Sequence, residues 1–312
     1  MIRFVAHHEI DKEKWDHCIR ESFNGNIYAW SWYLDIVHQN WNALVEDDYI
    51  RVFPLTGNVR FGIHYLFQPF FTQQLGIFSP QPLPQEVIHQ FIHAIPKQYR
   101  LVEIRLNIHN TLNLPPSVVN WHTNYELDLI KDYEYHARAY NSNTKRNLKK
   151  ALESQLYIVD NVSPVAIIDL FKNNRGRTIS HWNDREYWRL KRLINAVIFH
   201  GQATTYGVYT KENELCAGAI FVKSHQRITF LFSGMSAFGK EKNALTLILD
   251  HAIRQYAGSY MIFDFEGSDN PNLARFYKGF GSQPVSYPGI TLNRLPWPFN
   301  FIFKLIRLRR KI

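Results

Sequence analysis

An α/β protein made of two similar units in tandem is what the sequence predicts, and three observations predict it. The 312 residues exceed the usual size of one hydrophobic core, so two domains or a duplicated one are expected. β-like runs, then a helix, then a further strand occur in that order in the first half and again in the second. The paired elements begin at 49 and 205, at 85 and 243, and at 101 and 260, each about half the chain apart. Hydrophobic residues make up 46% and charged residues 20%, enough apolar material to pack both units and too little charge for a disordered chain.

Taken in order, the first half opens with helical segments at 12–22 and 28–41. β-like runs follow between 49 and 79 (YIRVFPL, RFGIHYLF, FFTQQLGIF). In 85–97, Val87, Ile88, Phe91, Ile92 and Ile95 recur at helical spacing. In 101–107, Val102, Ile104 and Leu106 alternate with Glu103, Arg105 and Asn107, the pattern of a strand. Pro115 and Pro116 mark a loop, and a boundary is expected between Asn113 and Asp132. The second half opens with helical segments at 143–154, 165–174 and 185–199. β-like runs between 205 and 233, a helix at 243–256 and a strand from Tyr260 then repeat the earlier order. This gives an N-terminal domain at 1–122, a C-terminal domain at 123–295 and a tail at 296–312. Each domain is expected to be a mixed sheet with helices on its faces.

Composition narrows the function classes. Two cysteines, Cys18 and Cys216, build neither a disulfide scaffold nor a four-thiolate zinc site, which fits a reducing compartment. The N-terminal stretch shows no basic segment followed by an apolar one, and no run reaches the roughly 18 apolar residues of a spanning helix. A cytoplasmic setting is expected. The net charge of +9 is concentrated: Arg138, Lys145, Arg146, Lys149 and Lys150 form one acid-free cluster, and Lys304, Arg307, Arg309, Arg310 and Lys311 form another. Such patches suit specific anionic contacts, phosphates or acidic lipid, and equally a solvated helix face and a soluble tail.

Among the motifs, GMSAFGKE at 234–241 has the spacing of a phosphate-binding loop, but Glu241 replaces the Ser or Thr that meets magnesium. What remains is a Gly-containing turn opening the helix from Asn243, able to offer backbone N–H groups to a pyrophosphate, or a plain strand-to-helix turn. His89 and His93 are four apart on a helix, without the Glu of a zincin and without a third ligand; they read as surface histidines, and no metal site is expected. No G-x-S-x-G elbow is present, which argues against acyl-enzyme chemistry. The densest segment is FDFEGSDNPNLARFYKGFGSQPVSY, 263–287. Asp264 and Glu266 alternate with Phe263 and Phe265, so strand geometry would put both carboxylates on one side. A short helix around Pro271 to Lys278 presents Arg275, Tyr277 and Lys278. A carboxylate opposite a phenol and a cation makes an acid/base pair for deprotonating an amine and protonating a leaving group. A strand-end salt bridge with Arg275 is the alternative.

The run FEGSDNPNLARFYKGFG, preceded by GKEKNALTLILDHAI and by SNTKRNLKKA at 142–151, resembles the Fem-type branch of the GNAT acyltransferase superfamily, the FemAB-like aminoacyltransferases of the peptidoglycan bridge. The resemblance covers most of the chain and is most specific from Ser142 to Tyr287. It implies two GNAT-like domains in tandem and transfer of an aminoacyl group from tRNA, or an acyl group from coenzyme A, to an amine, with a cell-wall or cell-surface precursor as a candidate acceptor. No cofactor would be bound permanently, the donor being a substrate. Two departures accompany it: the pyrophosphate loop of coenzyme A-dependent members is not intact at 236–244, and no coiled-coil arm is visible. On this reading Asp264 or Glu266 is the base and Tyr277 the proton donor. Lys145, Arg146 and Lys149 contact a phosphate-bearing donor or acceptor, and the turn with Gly239, Lys240, Asn243 and Ala244 cradles the donor, with Arg275 and Lys278 alongside. A degenerate pair that binds RNA or anionic lipid without catalysis is the other class.

The tail carries Phe301, Ile302, Leu305, Ile306 and Leu308 at near-helical spacing beside its cations. It suits an anionic membrane surface at the inner face, or packing back onto the first domain.

Overall fold

The computed structural model of the chain describes residues 1–179, 182–267, 269–297 and 299–300. The expected tail contacts, from Phe301 to Lys311, lie outside the described residues. Two compact units are present, Met1–His122 with the segment from Tyr287 onward, and Thr123–Ser286.

The first unit begins with strand β1 (Ile2–Val5), helix α1 (Lys12–Glu21), a 3-10 turn at Ile27–Ala29 and helix α2 (Ser31–Val37). Asp11 caps α1 by accepting the Glu13 and Lys14 N–H groups, and the helix buries Trp15, Cys18 and Ile19. The helical segment expected over 28–41 therefore shortens, and its end feeds β2 (Asn42–Glu46). β2 pairs antiparallel with β1 and with β3 (Arg51–Leu55) in a three-stranded sheet.

A second sheet starts one residue after β3. The hairpin β4 (Gly57–Arg60) and β5 (Ile63–Leu66) is followed by helix α3 (Gln85–Ala94) and then by β6 (Tyr99–Arg105), which lies parallel to β5. The β-like run 70–78 is not a regular strand; it touches the sheets through two isolated bridges, Val52 with Phe78 and Leu75 with Leu106. The other side of β6 is covered by β13 (Gln283–Asn293), with Gly289 opposite Arg105 and Asn293 opposite Leu101. The segment 287–295, assigned above to the second domain, thus completes the sheet of the first. The cause is the bare edge of β6, whose backbone groups need a partner.

The second unit contains β7 (Val119–Asp128) from residue 123 onward, α4 (Tyr133–Ala139), α5 (Ser142–Glu153), β8 (Tyr157–Asp160), α6 (Pro164–Asn173) and α7 (Asp184–Phe199). These are followed by β9 (Ala203–Tyr209), β10 (Leu215–Ser224), β11 (Arg227–Met235), the short helix α8 (Ala237–Glu241), α9 (Ala244–Tyr256), β12 (Ile262–Asp264) and α10 (Pro271–Lys278). Its sheet runs β7-β12-β11-β10-β9-β8. β10 and β11 form a hairpin, α9 crosses, and β12 returns parallel to β11. This is the connection seen from β4 and β5 through α3 to β6, so the repeated order in the sequence corresponds to a repeated topology. The core of the unit gathers Tyr125, Phe221, Ile248, Phe263, Phe265, Tyr277 and Phe280. Among the described residues no helix is long and apolar enough to cross a membrane.

Candidate active site

All the sequence-predicted site residues lie in the second unit. Strand β12 ends at Asp264, two residues earlier than alternation requires, and Glu266 adopts a left-handed backbone with φ of 52°. The expectation that both carboxylates project from one side of a strand is therefore corrected. The Asp264 carboxylate accepts the Glu266 N–H at 2.8 Å, closing a turn that lifts Glu266 off the strand.

Asp264 is buried and fully engaged. Its Oδ2 accepts from Nη2 of Arg227 at 3.0 Å, and its Oδ1 accepts from Nδ2 of Asn124 at 2.9 Å. Register places it opposite Glu126 on β7. Two carboxylates facing each other across a strand pair repel, and Arg227, at the start of β11, bridges both. Burial raises the Glu126 carboxyl above its ordinary range, with Arg227 pulling it back and Asp264 pushing it further up. Burial opposes the charge on Arg227, but the two carboxylates outweigh it and hold the guanidinium protonated. Asn124, wholly buried, completes the cluster: it also donates to Glu126 at 3.1 Å and accepts the Gly267 N–H at 2.7 Å. Asp264 is thus the anchor of the loop. The strand-end salt bridge, offered as the alternative with Arg275, is made instead by Arg227, and Arg275 itself makes no ion pair among the described residues.

Tyr277 sits near the end of α10, 8% exposed, with its ring against Phe265 at 5.1 Å and Tyr125 at 6.2 Å. Its hydroxyl has no hydrogen-bond partner among the described residues. Burial, and then the charge of Glu266, push the phenol well above its ordinary value, so it remains a proton donor at neutral pH. Glu266 is half-buried beside it. Lys278 is exposed, with Nζ 5.7 Å from the centre of the Tyr125 ring. Glu266 is near enough to Tyr277 for its charge to act on the phenol, and the turn that carries Glu266 is held by Asp264, itself paired with Arg227.

The start of the basic helix meets the end of α10. Asn141 caps α5 by accepting the Thr144 N–H, and its own N–H donates to the Gly279 carbonyl at 3.0 Å. Lys145, Arg146 and Lys149 are exposed on α5. Nζ of Lys145 donates to the Arg138 carbonyl at 2.7 Å, and Lys149 pairs loosely with Glu153 at 3.8 Å. Lys145 and Lys149 line an open depression of about 500 Å³ floored by Leu148, Leu152, Ala137 and Tyr140.

The 234–241 segment, expected as a Gly-containing turn, holds the short helix α8. Ser236 caps α8, and its hydroxyl oxygen accepts the Gly239 N–H at 3.0 Å. A Cβ at Gly239 would stand 2.2 Å from the Cys216 carbonyl oxygen, so this glycine serves close packing on β10 and its N–H is already taken. Lys240 is exposed; Asn243, at φ of 59°, turns the chain into α9, whose first residue, Ala244, is buried. His93 Nδ1 meets the His89 carbonyl at 2.7 Å, and no group of three His, Cys, Asp or Glu among the described residues is disposed to hold a metal. Asn124, Glu126 and Arg227 were not legible from sequence.

No protein-family model matches the sequence, and no curated protein matches it. Solved structures do resemble it in fold. A FemX structure superposes with a TM-score of 0.64 over 89% of this chain and 96% of its own, at 11% identity. L-PGS from Bacillus licheniformis superposes with a TM-score of 0.55 over 94% and 95%, at 12% identity. The fold is that of two-domain GNAT-like proteins, as the sequence predicted.

Proposed function

We propose that the protein transfers an activated acyl or aminoacyl group to an amine. The observation that carries the reading is the two-unit fold shared over nearly the whole chain with FemX and L-PGS, which agrees with the FemAB-like resemblance of the FEGSDNPNLARFYKGFG run. The amine attacks the donor carbonyl carbon directly, forming the new C–N bond. Glu266 takes the proton that the nitrogen sheds. As the C–O or C–S bond of the donor breaks, the Tyr277 hydroxyl protonates the departing ribose oxygen or thiolate, and Glu266 and Tyr277 re-equilibrate through solvent. Asp264 moves no proton; held by Arg227 and Asn124, it sets the turn that presents Glu266. The exposed cations Lys145, Arg146 and Lys149, with Arg275 and Lys278 on α10, meet a phosphate-bearing donor or acceptor, and the first turn of α9 at Asn243 and Ala244, with Lys240, cradles the donor. Both aminoacyl-tRNA and acyl-CoA fit this chemistry, and the acceptor is an amine on a cell-wall or cell-surface precursor made in the cytoplasm.

Panels of aminoacyl-tRNAs and acyl-CoA thioesters, offered with small amines and with amine-bearing precursors, test the reading by mass spectrometry. Transfer from one donor class that requires Glu266 is expected. Absence of transfer from both classes, with RNA or lipid retained on the protein, would make it a binder without catalysis.

A further inference from the structure

The outward face of α7 carries an arrangement that neither packing nor the proposed chemistry uses. The helix buries Tyr187, Leu190, Leu193, Ile194 and Val197. Opposite them, Arg185, Trp188, Arg192, Asn195 and Phe199 recur at three- and four-residue steps, a narrow stripe along one side. Trp188 is 60% exposed and Phe199 is 87% exposed, two of the large apolar side chains left in water, with Ile198 beside them. The Arg192 guanidinium lies 4.7 Å from the Trp188 ring centre. The stripe itself contains no acid; of the two acids in the first turn of the helix, Asp184 pairs with Lys172 at 3.0 Å and Glu186 with Arg189 at 3.8 Å.

We propose that this face of α7 docks the protein on an anionic lipid surface. Exposed aromatic rings cost hydration free energy in water, and their retention on a convex surface calls for a partner. Trp188 offers an amphipathic ring and Phe199 an apolar one, about 16 Å apart along the helix, both able to lie at headgroup depth when the axis runs along the membrane plane. Arg185 and Arg192 flank them with charges that reach lipid phosphates while their stems cover apolar surface. Single-stranded RNA is the competing partner for aromatic and cationic side chains, but it is held in grooves that track the backbone, and a convex helix face provides none. The contact is shallow and reversible, since two aromatic rings and two arginines carry it.

Co-sedimentation of the full-length protein with vesicles of phosphatidylglycerol in phosphatidylcholine, and with phosphatidylcholine alone, tests the proposal. Binding is expected only to the anionic vesicles and is lost near ~0.5 M salt. Trp188→Ser with Phe199→Ser should weaken it about tenfold or more, and Arg185→Gln and Arg192→Gln about fivefold each, with thermal melting little changed because Arg185, Trp188 and Phe199 are exposed and Arg192 is half-buried with no ion pair among the described residues. A second full-length variant, with Lys304, Arg307, Arg309 and Arg310 changed to Gln, separates this face from the tail. Binding that survives the α7 changes and disappears with the tail changes overturns the proposal. So does a protein that ignores anionic vesicles, or one that retains oligouridylate through Trp188 while failing to sediment with lipid.

Discussion

Asp264 and Glu266 stand two residues apart and do different work because their surroundings differ. Asp264 is buried and satisfied on every side, whereas Glu266 is turned away from the strand toward Tyr277. Glu266→Gln and Tyr277→Phe are each expected to lower kcat by roughly 10²- to 10⁴-fold with little change in melting temperature. Normal turnover in both variants would remove them from the mechanism. Arg227→Met is expected to cost about 3–5 kcal/mol, because it strands two facing carboxylates in a buried site. The folded state already raises the Glu126 carboxyl, so it binds that proton more tightly than the unfolded chain, and this contribution to stability falls as pH rises through the folded value. Without the cation the shift grows, and the deficit should shrink as pH drops from 7 toward 5. A deficit independent of pH in chemical denaturation would refute the charge argument. Burial also pushes the thiols of Cys18 and Cys216 up to about 11, so neither should react with a thiol reagent at pH 7 until the protein is unfolded. Glu266 and Tyr277 could be singled out as candidates because one stretch of twelve residues contains them both. Asn124 and Arg227 were not, since they reach the site from 140 and 37 positions away in sequence, where no periodicity records a contact.

Helices were the legible elements, because a 3.6-residue apolar repeat declares itself wherever one face is buried. The spacing placed α3, α5, α6, α7 and α9 within a few residues of their observed ends. Strands β7 and β13 were missed for physical reasons. β7 carries His122, Thr123, Asn124 and Glu126 among its apolar residues, its polar side chains being used in the buried cluster, and β13 contains Pro284, Pro288 and Gly289, which read as turns. The contact of α6 with its sheet also has a sequence cause. Gly218 and Gly234 are paired across β10 and β11, and a Cβ at Gly234 would come within 2.3 Å of the Ile167 carbonyl oxygen. Backbone lies against backbone there. Gly234→Ala is expected to displace α6 and cost about 1–3 kcal/mol, measured by denaturant midpoint. An unchanged midpoint would show that α6 shifts freely.

At the scale of the molecule, the duplicated order of elements was readable, but the assignment of the last strand was not, because strand partners separated by most of the chain leave no local signal. The pairing of β13 with β6 gives a direct test. Termination after Ser286 should leave residues 1–122 open to limited proteolysis while 123–286 stays protected; equal protection of both would mean that β6 tolerates a bare edge. The same pairing orders events on the ribosome. Synthesis delivers every strand of the second unit's sheet by Asp264, whereas the first unit must wait until Asn293 has emerged before its sheet closes. The half made first is therefore the half finished last, and for the time it takes to translate nearly two hundred further residues its hydrophobic strand edge is a client for chaperones.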